Sequence, residues 1–436
     1  MGFDEGHPGR NRSRAIVVGS GPAGLLAALA LRETFRQVCV IHRGASPVAA
    51  PLSRRDPGRA VSNDAALLLL APGSEALEDL SPGAVDDLLE AGAVSFEAGA
   101  GFRWRSRGLE AGGAPNGLET LSASRCLVRS VLARRLEKLG GVRWVSRAEV
   151  IGLDVAEGTQ EVRGVFYRRL DGADEVQWRG SGLVVDSSGR SEAVEGWLRR
   201  SGFPLPPRCT WGSVRVGLRS VCRWPGGLGE PRHTWLVEDG AVSASLQPVE
   251  EGRWVATISR PAHLPAAASS VVKELASVCE TLGAPKEVLL PPPRWRREQD
   301  STPGRFLAFG DARISFDPVF GMGWTLAARS ARRLAHHLRQ DPSLAHLRRW
   351  QRKMRPELRR AWWVQRWRRR LSGVKGAPFA DPFPKGRWAQ SRLLRVLNLV
   401  DSPSRLLAPG LWHGLLPARP TARSADRPVV GAATMG

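Results

Sequence analysis

Apolar residues near the start of the chain form two short runs, separated by a glycine-rich turn and an apolar stretch of helical length. The runs Ala15–Val18 and Val38–Ile41 carry no charge, which predicts two buried strands. The stretch Pro22–Phe35 predicts a helix directly after the turn. Strand, turn, helix and strand in this order make half of a Rossmann unit, so this end of the chain predicts an α/β fold.

Helical and strand patterns follow one another along the middle of the chain. Apolar positions at helical spacing predict helices over Gly73–Ala93 and Ser124–Leu139. A first group of strands predicts a small meander beside the parallel sheet: Val142–Val145, Glu149–Val155, Val162–Arg168, Val176–Arg179 and Leu183–Asp186. A second group predicts an antiparallel sheet: Trp211–Val221, Thr234–Val237, Val242–Gln247 and Arg253–Ser259. The glycine-rich segment Gly99–Gly117 predicts a surface loop, and the rest of the chain is expected to be largely helical.

The first candidate site is the turn after the first strand, with the sequence Gly19-Ser20-Gly21-Pro22-Ala23-Gly24. Its place between an apolar strand and an apolar helix is typical of a dinucleotide-binding fingerprint. Glycine permits the tight turn and lets backbone N–H groups approach a pyrophosphate at the positive end of the helix. The turn therefore predicts a bound dinucleotide.

The fingerprint departs from its usual form at the end of the second strand. An acidic residue normally stands there and accepts a hydrogen bond from the adenosine ribose, but this chain has His42 followed by Arg43. A neutral imidazole could accept the same bond, and Arg43 could instead meet a phosphate, which keeps an NADP-binding interpretation open. The other interpretation is that His42 merely ends a strand at the surface.

A second motif lies far along the chain. Phe306–Ala312 is an apolar run that ends in Gly310-Asp311, and Phe316–Gly323 leads into a long helix that begins near Trp324. Together these segments resemble the second flavin signature of the FAD-dependent aromatic-ring hydroxylases, the p-hydroxybenzoate hydroxylase-like superfamily. The resemblance implies that Asp311 bonds the ribityl chain. It also implies that the turn at the start of the helix meets the isoalloxazine, through Pro318, Gly321, Met322 and Gly323.

Further segments are similar to that family, and the resemblance spans residues 14–340 and more loosely the tail. Ser124-Arg125-Cys126-Leu127 is similar to its arginine-led helix, which implies that Arg125 approaches the cofactor phosphates. Leu183–Arg190 is similar to its Asp-Gly segment. We interpret the acidic turn Pro248–Trp254 as a solvated hairpin connection between two strands.

The resemblance implies a Rossmann-type FAD-binding domain with an inserted antiparallel-sheet substrate domain and a helical C-terminal tail. Residues 14–60, 118–204 and 300–345 are expected to form the discontinuous FAD-binding domain, and residues 61–117 and 205–299 the substrate domain. Residues 346–416 are expected to be helical, and residues 1–13 and 417–436 to be a disordered leader and tail.

The implied activity is that of a monooxygenase. In the family, NADPH or NADH reduces FAD, reduced flavin takes up O2, and the C4a-hydroperoxide hydroxylates or epoxidises a small organic substrate; secondary metabolism is one expected setting. The substrate would lie over the flavin against the sheet containing Trp211, Trp235 and Trp254, although we expect these tryptophans to be core more than pocket. No side chain is assigned a catalytic role, and no metal is expected.

Several departures keep other functions open. The Pro-Gln-Gly-Arg-His-x-His segment of some bacterial relatives is absent from Val61–Leu67, so a redox-inactive interaction protein on this scaffold is one alternative. A flavin-dependent reductase or dehydrogenase is another. A halogenase is a third, but halogenases need a lysine in the first third of the chain and a Trp-x-Trp-x-Ile-Pro signature. The first lysine here is Lys138, the signature is missing, and Gly321 stands where halogenases usually have serine.

Composition bears on compartment and partners. The 436 residues are 42% hydrophobic, enough for a sizeable core, and the five cysteines stand singly, so we expect a reducing cytoplasm. Glycines interrupt the uncharged run Ala15–Leu31, so neither export nor a membrane span is expected.

Net charge is +22, but the excess is arginine spread through most of the chain, so no nucleic-acid partner is expected. The segment Arg348–Leu371 combines many arginines with Trp350, Trp362, Trp363 and Trp367. Such a helix could lie on a membrane surface, but we favour packing of its aromatic side on its own domain.

Overall fold

The computed structural model describes residues 14–48, 65–106, 109–112, 117–158, 160–172, 175–204, 208–210, 214–223, 234–239, 242–261, 280–281, 285–296, 303–316, 321–340, 344 and 347–371. The expected leader 1–13 and tail 417–436 lie outside these ranges, as do residues 372–416 of the expected helical region. No helix within the described ranges is long and apolar enough to cross a membrane.

Strands make up most of the described elements. In chain order they are β1 (Arg14–Val18), β2 (Gln37–Ile41), β3 (Ala66–Leu69), β4 (Val94–Glu97), β5 (Phe102–Ser106), β6 (Leu109–Gly112), β7 (Glu119–Ser124), β8 (Val142–Val145), β9 (Ala148–Val155), β10 (Val162–Arg169), β11 (Val176–Gly180), β12 (Leu183–Asp186), β13 (Arg208–Thr210), β14 (Arg215–Arg223), β15 (Thr234–Asp239), β16 (Val242–Val249), β17 (Arg253–Pro261), β18 (Glu280–Thr281), β19 (Lys286–Leu290), β20 (Arg294–Arg296), β21 (Phe306–Ala308) and β22 (Ile314–Ser315).

The helices lie between groups of strands. They are α1 (Pro22–Leu31), α2 (Ala71–Leu80), α3 (Ala84–Glu90), α4 (Ala98–Gly101), α5 (Arg125–Leu139), α6 (Ala193–Arg200), α7 (Met322–Gln340) and α8 (Leu347–Leu371), with a short 3-10 helix at Gly310–Ala312. Helix α1 ends at Leu31, four residues earlier than predicted, and α7 begins at Met322, close to the predicted start.

A five-stranded parallel sheet forms the centre of the fold, with strand order β21-β12-β1-β2-β8. Strands β1 and β12 are almost wholly buried because helices cover the sheet. The predicted half Rossmann unit is therefore present. The prediction of one five-stranded meander was wrong: β8 and β12 join the parallel sheet, and only β9, β10 and β11 form a meander. The uninterrupted apolar run of β12 is the pattern of a parallel strand rather than of a meander strand.

A second large sheet has the strand order β18-β14-β17-β16-β15-β5-β6, with β19 pairing with β14. It contains the predicted antiparallel strands, although Trp211 lies outside the described residues. The prediction of a loop over Gly99–Gly117 was wrong, because this segment forms α4, β5 and β6, and β5 pairs with β15. The expectation of helix in the rest of the chain was also wrong for β18, β19, β20 and β22, whereas β21 lies in the apolar run Phe306–Ala312 of the second motif. The fold is thus a mixed α/β arrangement of several sheets.

Helices α7 and α8 stack in turn on α1. Helix α7 packs on α1 and α2, and α8 packs on α7 with Trp350, Met354 and Trp362 buried. The side chain of Glu357 pairs with Arg329 and Arg333 of α7 between the two helices. The aromatic side of α8 therefore packs inward at Trp350 and Trp362, which fits the favoured interpretation of this arginine-rich segment.

Candidate functional site

The glycine-rich turn lies between the ends of three parallel strands. Gly19 has φ +105°, and a Cβ atom there would lie 2.6 Å from the carbonyl oxygen of Ser187, which follows β12. Only glycine fits both constraints without strain. The N–H of Gly19 donates to the carbonyl of Ile41 at the end of β2. The turn is therefore fixed on both sides before α1 begins at Pro22.

The first turn of α1 is free of side-chain caps. Its N-cap residue is Gly21, which makes no side-chain capping hydrogen bond, and the first turn itself contains no acidic residue. The first N–H groups of a helix have no partner within the helix, and they carry partial positive charge. This end of α1 is consequently suited to hold a phosphate group.

Two arginines of α5 lie against the turn. The Nη2 atom of Arg125 is 3.6 Å from the position that a Cβ would take on Gly21, so the structure places Arg125 beside the turn as the sequence suggests. Arg129 was not singled out by sequence. It donates from Nε to the carbonyl oxygen of Ser20 at 3.0 Å and from Nη2 to the hydroxyl of Ser20 at 2.9 Å. Burial lowers the pKa of the Arg129 guanidinium, and Arg125 lowers it further.

His42 lies at the end of β2 and is 5% exposed, so the interpretation of a histidine at the surface was wrong. Its Nε2 atom is 3.0 Å from the hydroxyl of Ser146, and its buried Nδ1 atom has no hydrogen-bond partner. Burial, together with the charge of Arg129, lowers the pKa of His42 to about 4. The imidazole is therefore neutral at pH 7.

Arg43 points elsewhere. Its side chain is 73% exposed, and Nη1 lies 3.6 Å from a carboxylate oxygen of Glu149 on β9. The structure thus brings His42, but not the guanidinium of Arg43, into the buried corner beside the turn.

The second motif meets the first directly. Gly310 is so close to α1 that a Cβ on it would lie 2.5 Å from the Cβ of Ala23. The N–H of Phe309 donates to the carbonyl of Asp186 at the end of β12. The two motifs, far apart in sequence, therefore share one edge of the parallel sheet.

Asp311 is half-exposed at this edge. Its carboxylate lies 3.5 Å from Nε of Arg190, and Arg190 also donates to the carbonyls of Pro291 and Phe316 at 2.9 Å each. The α-carbon of Gly323 in the first turn of α7 faces the same carboxylate, since a Cβ there would lie 3.8 Å from Oδ1. Arg190, which the sequence did not single out as a site residue, thus links Asp311 to the segment before the second turn.

The second turn brings α7 against β3. Gly321 has φ +65°, and a Cβ on it would lie 2.5 Å from the carbonyl oxygen of Leu68, so only glycine fits here as well. Met322 and Gly323 form the first turn of α7. Pro318 lies outside the described residues.

The large sheet turns one face toward this edge. Val221 and Val255 pack against Ala66 of β3, on the face that also carries Arg219, Thr257 and Ser245 in one row. We call this the inward face. Arg215 lies on it too, and both arginines are buried; Arg215 donates to the hydroxyl of Ser259 at 2.6 Å.

The tryptophans occupy the opposite side of the sheet. Trp235 and Trp254 pack with Leu246 and Cys222, away from β3. Trp254 is buried and Trp235 is partly buried in this cluster, which agrees with the expectation that these tryptophans are core more than pocket. The place of the substrate stays a prediction. Alternation of side chains along a strand explains the separation.

The acidic turn connects β16 and β17 as a hairpin with Glu251 and Gly252 exposed, as predicted, but Glu250 is not solvated. Glu250 is 6% exposed, and its carboxylate accepts a hydrogen bond from the N–H of Ser124 at 3.0 Å. Ser124 is the N-cap of α5, and its hydroxyl accepts from the N–H of Leu127. The prediction of a solvated turn was wrong at Glu250, because this residue connects the large sheet to the helix that carries Arg125 and Arg129. Among the described residues, no cluster of histidine, cysteine, aspartate and glutamate could hold a metal ion.

Comparison with known proteins shows which proteins share this fold. No family model matches the chain. Protein Rv3254 of Mycobacterium tuberculosis is 28% identical over 375 residues, which are 77% of this chain and 74% of that protein. The flavin-dependent brominase Bmp2 aligns with a TM-score of 0.61 and 17% identity, over 81% of this chain and 85% of Bmp2. The enzyme 2-methyl-3-hydroxypyridine-5-carboxylic acid oxygenase aligns with a TM-score of 0.59 and 20% identity, over 91% and 96%. The chain has the fold that flavin-dependent monooxygenases and halogenases share, as the sequence resemblance implied.

Proposed function

We propose that this chain, which has the fold of the flavin-dependent monooxygenases, binds FAD and uses O2 to hydroxylate or epoxidise a small organic substrate. The observation that carries the proposal is the contact of Gly310 with Ala23. It unites a dinucleotide-type turn with a Gly-Asp segment of the kind that binds ribityl chains in the aromatic-ring hydroxylases. FAD is a dinucleotide that carries a ribityl chain, and so it needs both parts.

The residues around the two turns fit FAD. The uncapped start of α1 and the Arg125 side chain would hold the pyrophosphate, because both present positive charge to the glycine turn. Asp311 would accept hydrogen bonds from the ribityl hydroxyls, and Gly321, Met322 and Gly323 would bring the start of α7 to the flavin ring. Bound FAD supplies electron transfer and oxygen activation, while the protein supplies orientation and exclusion of water.

The chain's own contribution on the substrate side is the inward face of the large sheet. Arg215 and Arg219 are held there by hydroxyl groups of Ser259 and Thr257, with the Arg219 Nε to Thr257 Oγ1 distance at 3.5 Å. Buried guanidinium groups with fixed donors can orient polar groups of a bound molecule. We place the substrate between this face and the start of α7, and no described side chain is assigned a catalytic role.

The domain assignment follows the same division. We place FAD on residues 14–60, 118–204 and 300–345 and the substrate mainly on residues 61–117 and 205–299. NADPH or NADH is the proposed electron donor and the cytoplasm the proposed compartment. No nucleic-acid partner is proposed.

Halogenation is the second chemistry that the fold accommodates, and the similarity to Bmp2 is the reason to test it. The first lysine of the sequence, Lys138, is exposed in the last turn of α5, and the Trp-x-Trp-x-Ile-Pro signature is missing. We therefore favour oxygen insertion.

Oxygen uptake tests the proposal. Purified protein reconstituted with FAD is mixed with NADPH or NADH in an oxygen electrode, with a panel of phenols, aromatic acids and alkenes, and with or without bromide. We expect donor oxidation coupled to O2 uptake, a product heavier by one oxygen atom, and no dependence on bromide. A brominated product would establish a halogenase. Donor oxidation that reduces an alkene without consuming O2 would establish a reductase.

A further inference from the structure

The buried corner at the end of β2 contains a polar atom without a partner. Nδ1 of His42 has no hydrogen bond, although the side chain is almost wholly buried. Leaving a buried polar atom without a hydrogen bond destabilises the folded state, so such an atom calls for a ligand or another explanation. Both the backbone and the ring of His42 have partners otherwise. The backbone N–H donates to the carbonyl of Val145, and the ring atom Nε2 lies 3.0 Å from the hydroxyl of Ser146.

The position of Nδ1 relates it to the glycine turn. A Cβ on Gly44 would lie 3.8 Å from Nδ1 of His42 and 3.6 Å from Nη2 of Arg129. The same Nη2 atom donates to the hydroxyl of Ser20 within the turn. Nδ1 therefore faces the corner between the turn and the end of β2, where a dinucleotide in this type of fold places its adenosine ribose.

We propose that His42 recognises the adenosine ribose of the bound dinucleotide as a neutral acceptor, with Nδ1 taking a hydrogen bond from the ribose 2′-hydroxyl. The proposal rests on the proposed function, since FAD supplies the ribose. Ser146 is the positioning residue: its hydroxyl accepts from Nε2–H, which fixes the tautomer that leaves Nδ1 unprotonated. The imidazole thus does what a carboxylate does in the usual fingerprint.

The surrounding charges agree with this assignment. The pKa of His42 is lowered to about 4 by burial and by Arg129, so the acceptor form is present at neutral pH. A ribose 2′-phosphate, in contrast, needs a cation at this place. Arg129, the cation in this corner, is instead engaged by the carbonyl and the hydroxyl of Ser20, and Arg43 pairs with Glu149 on the surface. The site therefore favours a free 2′-hydroxyl over a 2′-phosphate.

The proposal is tested by comparing how wild-type protein and His42 variants bind FAD and an analogue that lacks the 2′-hydroxyl. Full-length apoprotein is titrated with FAD and with FAD that carries 2′-deoxyadenosine, and dissociation constants are read from the quenching of flavin fluorescence. Wild-type protein is expected to bind FAD about tenfold more tightly than the deoxy analogue, which is the usual worth of one hydrogen bond in a buried site. In His42→Leu this preference is expected to disappear.

The conservative variant His42→Asn retains an acceptor close to Nδ1 and is expected to restore part of the preference. Proton and nitrogen NMR of the imidazole supplies a readout independent of cofactor binding, and it is expected to show the Nε2–H tautomer in wild type and a mixture of tautomers in Ser146→Ala. Titration with NADH and NADPH distinguishes the source of the ribose; we expect FAD to bind and neither nicotinamide cofactor to displace it.

An unchanged preference for FAD over the deoxy analogue in His42→Leu would overturn the role of His42 and leave FAD binding intact. Binding of NADH in place of FAD would assign the ribose to a nicotinamide cofactor and overturn the proposal as stated. Failure of wild-type protein to bind either flavin would contradict the proposed function, and this inference with it.

Discussion

The guanidinium of Arg129 bonds Ser20 twice, once at the carbonyl oxygen and once at the hydroxyl, at 3.0 and 2.9 Å. Ser20 is the second residue of the glycine turn, and Arg129 lies one helical turn after Arg125 on α5. The helix whose Arg125 we propose to approach the cofactor thus also holds the turn that we propose as the pyrophosphate site. Cofactor binding is therefore expected to depend on α5 as much as on the glycines.

Replacing Arg129 by methionine removes both hydrogen bonds and retains most of the apolar stem. We expect FAD to bind at least tenfold more weakly, because the turn loses its fixed position and a nearby positive charge. Isothermal titration with FAD measures the change. Lys138→Met, a charge removal at the exposed end of the same helix, is the matched control and is expected to bind FAD as wild type does. Equal weakening in both variants would show that net charge alone is responsible.

Asp311 provides a test at the other end of the cofactor. In Asp311→Ala we expect FAD and FMN to lose affinity by a similar factor, about tenfold or more, because the two flavins share the ribityl chain. A variant of His42 is expected to weaken FAD alone, since FMN has no adenosine. Fluorescence titrations with both flavins separate these outcomes. Asp171→Ala, which removes a carboxylate from an exposed ion pair with Arg169, is the control. Loss of FAD but not FMN affinity in Asp311→Ala would place this residue elsewhere on the cofactor.

Glu250 is expected to contribute to stability although it lies in a turn. Glu250→Ala leaves the N–H of Ser124 without its partner in a buried place, which predicts a loss of about 1–3 kcal/mol in the free energy of unfolding. The neighbouring Glu251→Ala, at a half-exposed carboxylate paired with Arg253 on the surface, is expected to change it by less than about 1 kcal/mol. Urea unfolding followed by circular dichroism compares the two. A similar loss of unfolding free energy in both variants would show that Glu250 behaves as a solvated turn residue.

The low pKa of His42 makes stability depend on pH. Above pH 6.5 the imidazole is neutral in both the folded and the unfolded chain. As pH falls from 6.5 toward 4, the unfolded chain gains a proton at His42 that the folded chain does not, so the folded state loses stability. The total loss is on the order of 3 kcal/mol and is complete below about pH 4.

The comparison of wild type with His42→Asn isolates this loss from that of other titrating groups. We expect the stability advantage of wild type over the variant to shrink by that amount between pH 6.5 and 4 in urea unfolding. An advantage that stays constant over this range would contradict a buried neutral imidazole.

Much of the site was predictable because single residue types mark it. Gly19 and Gly321 both have positive φ and both face a carbonyl oxygen, so the backbone itself requires glycine at these positions. The parallel strand β1 and helix α1 followed from uninterrupted apolar runs. Arg129 was missed, although a signal existed: it stands four residues after Arg125 and therefore shares its face of α5.

The failures have a common physical origin in long-range pairing. Strands β8 and β12 look like neighbours of β9 to β11 in sequence, but which sheet they join depends on partners as distant as β2 and β21. The sequence left both core and pocket open for Trp235 and Trp254, because a strand pattern shows that faces alternate but not which face meets β3. Glu250 looks solvated in sequence and is buried only because Ser124 lies across from it.

The central claim is that the chain holds one FAD at the junction of its two glycine turns. The visible absorption spectrum of purified protein, recorded before and after incubation with excess FAD and removal of the unbound fraction, tests it most directly. We predict flavin bands that correspond to about one FAD per chain, and loss of these bands in the double variant Arg129→Met and Asp311→Ala. A colourless wild-type protein that retains no added FAD would contradict the account and indicate a flavoprotein scaffold with another use.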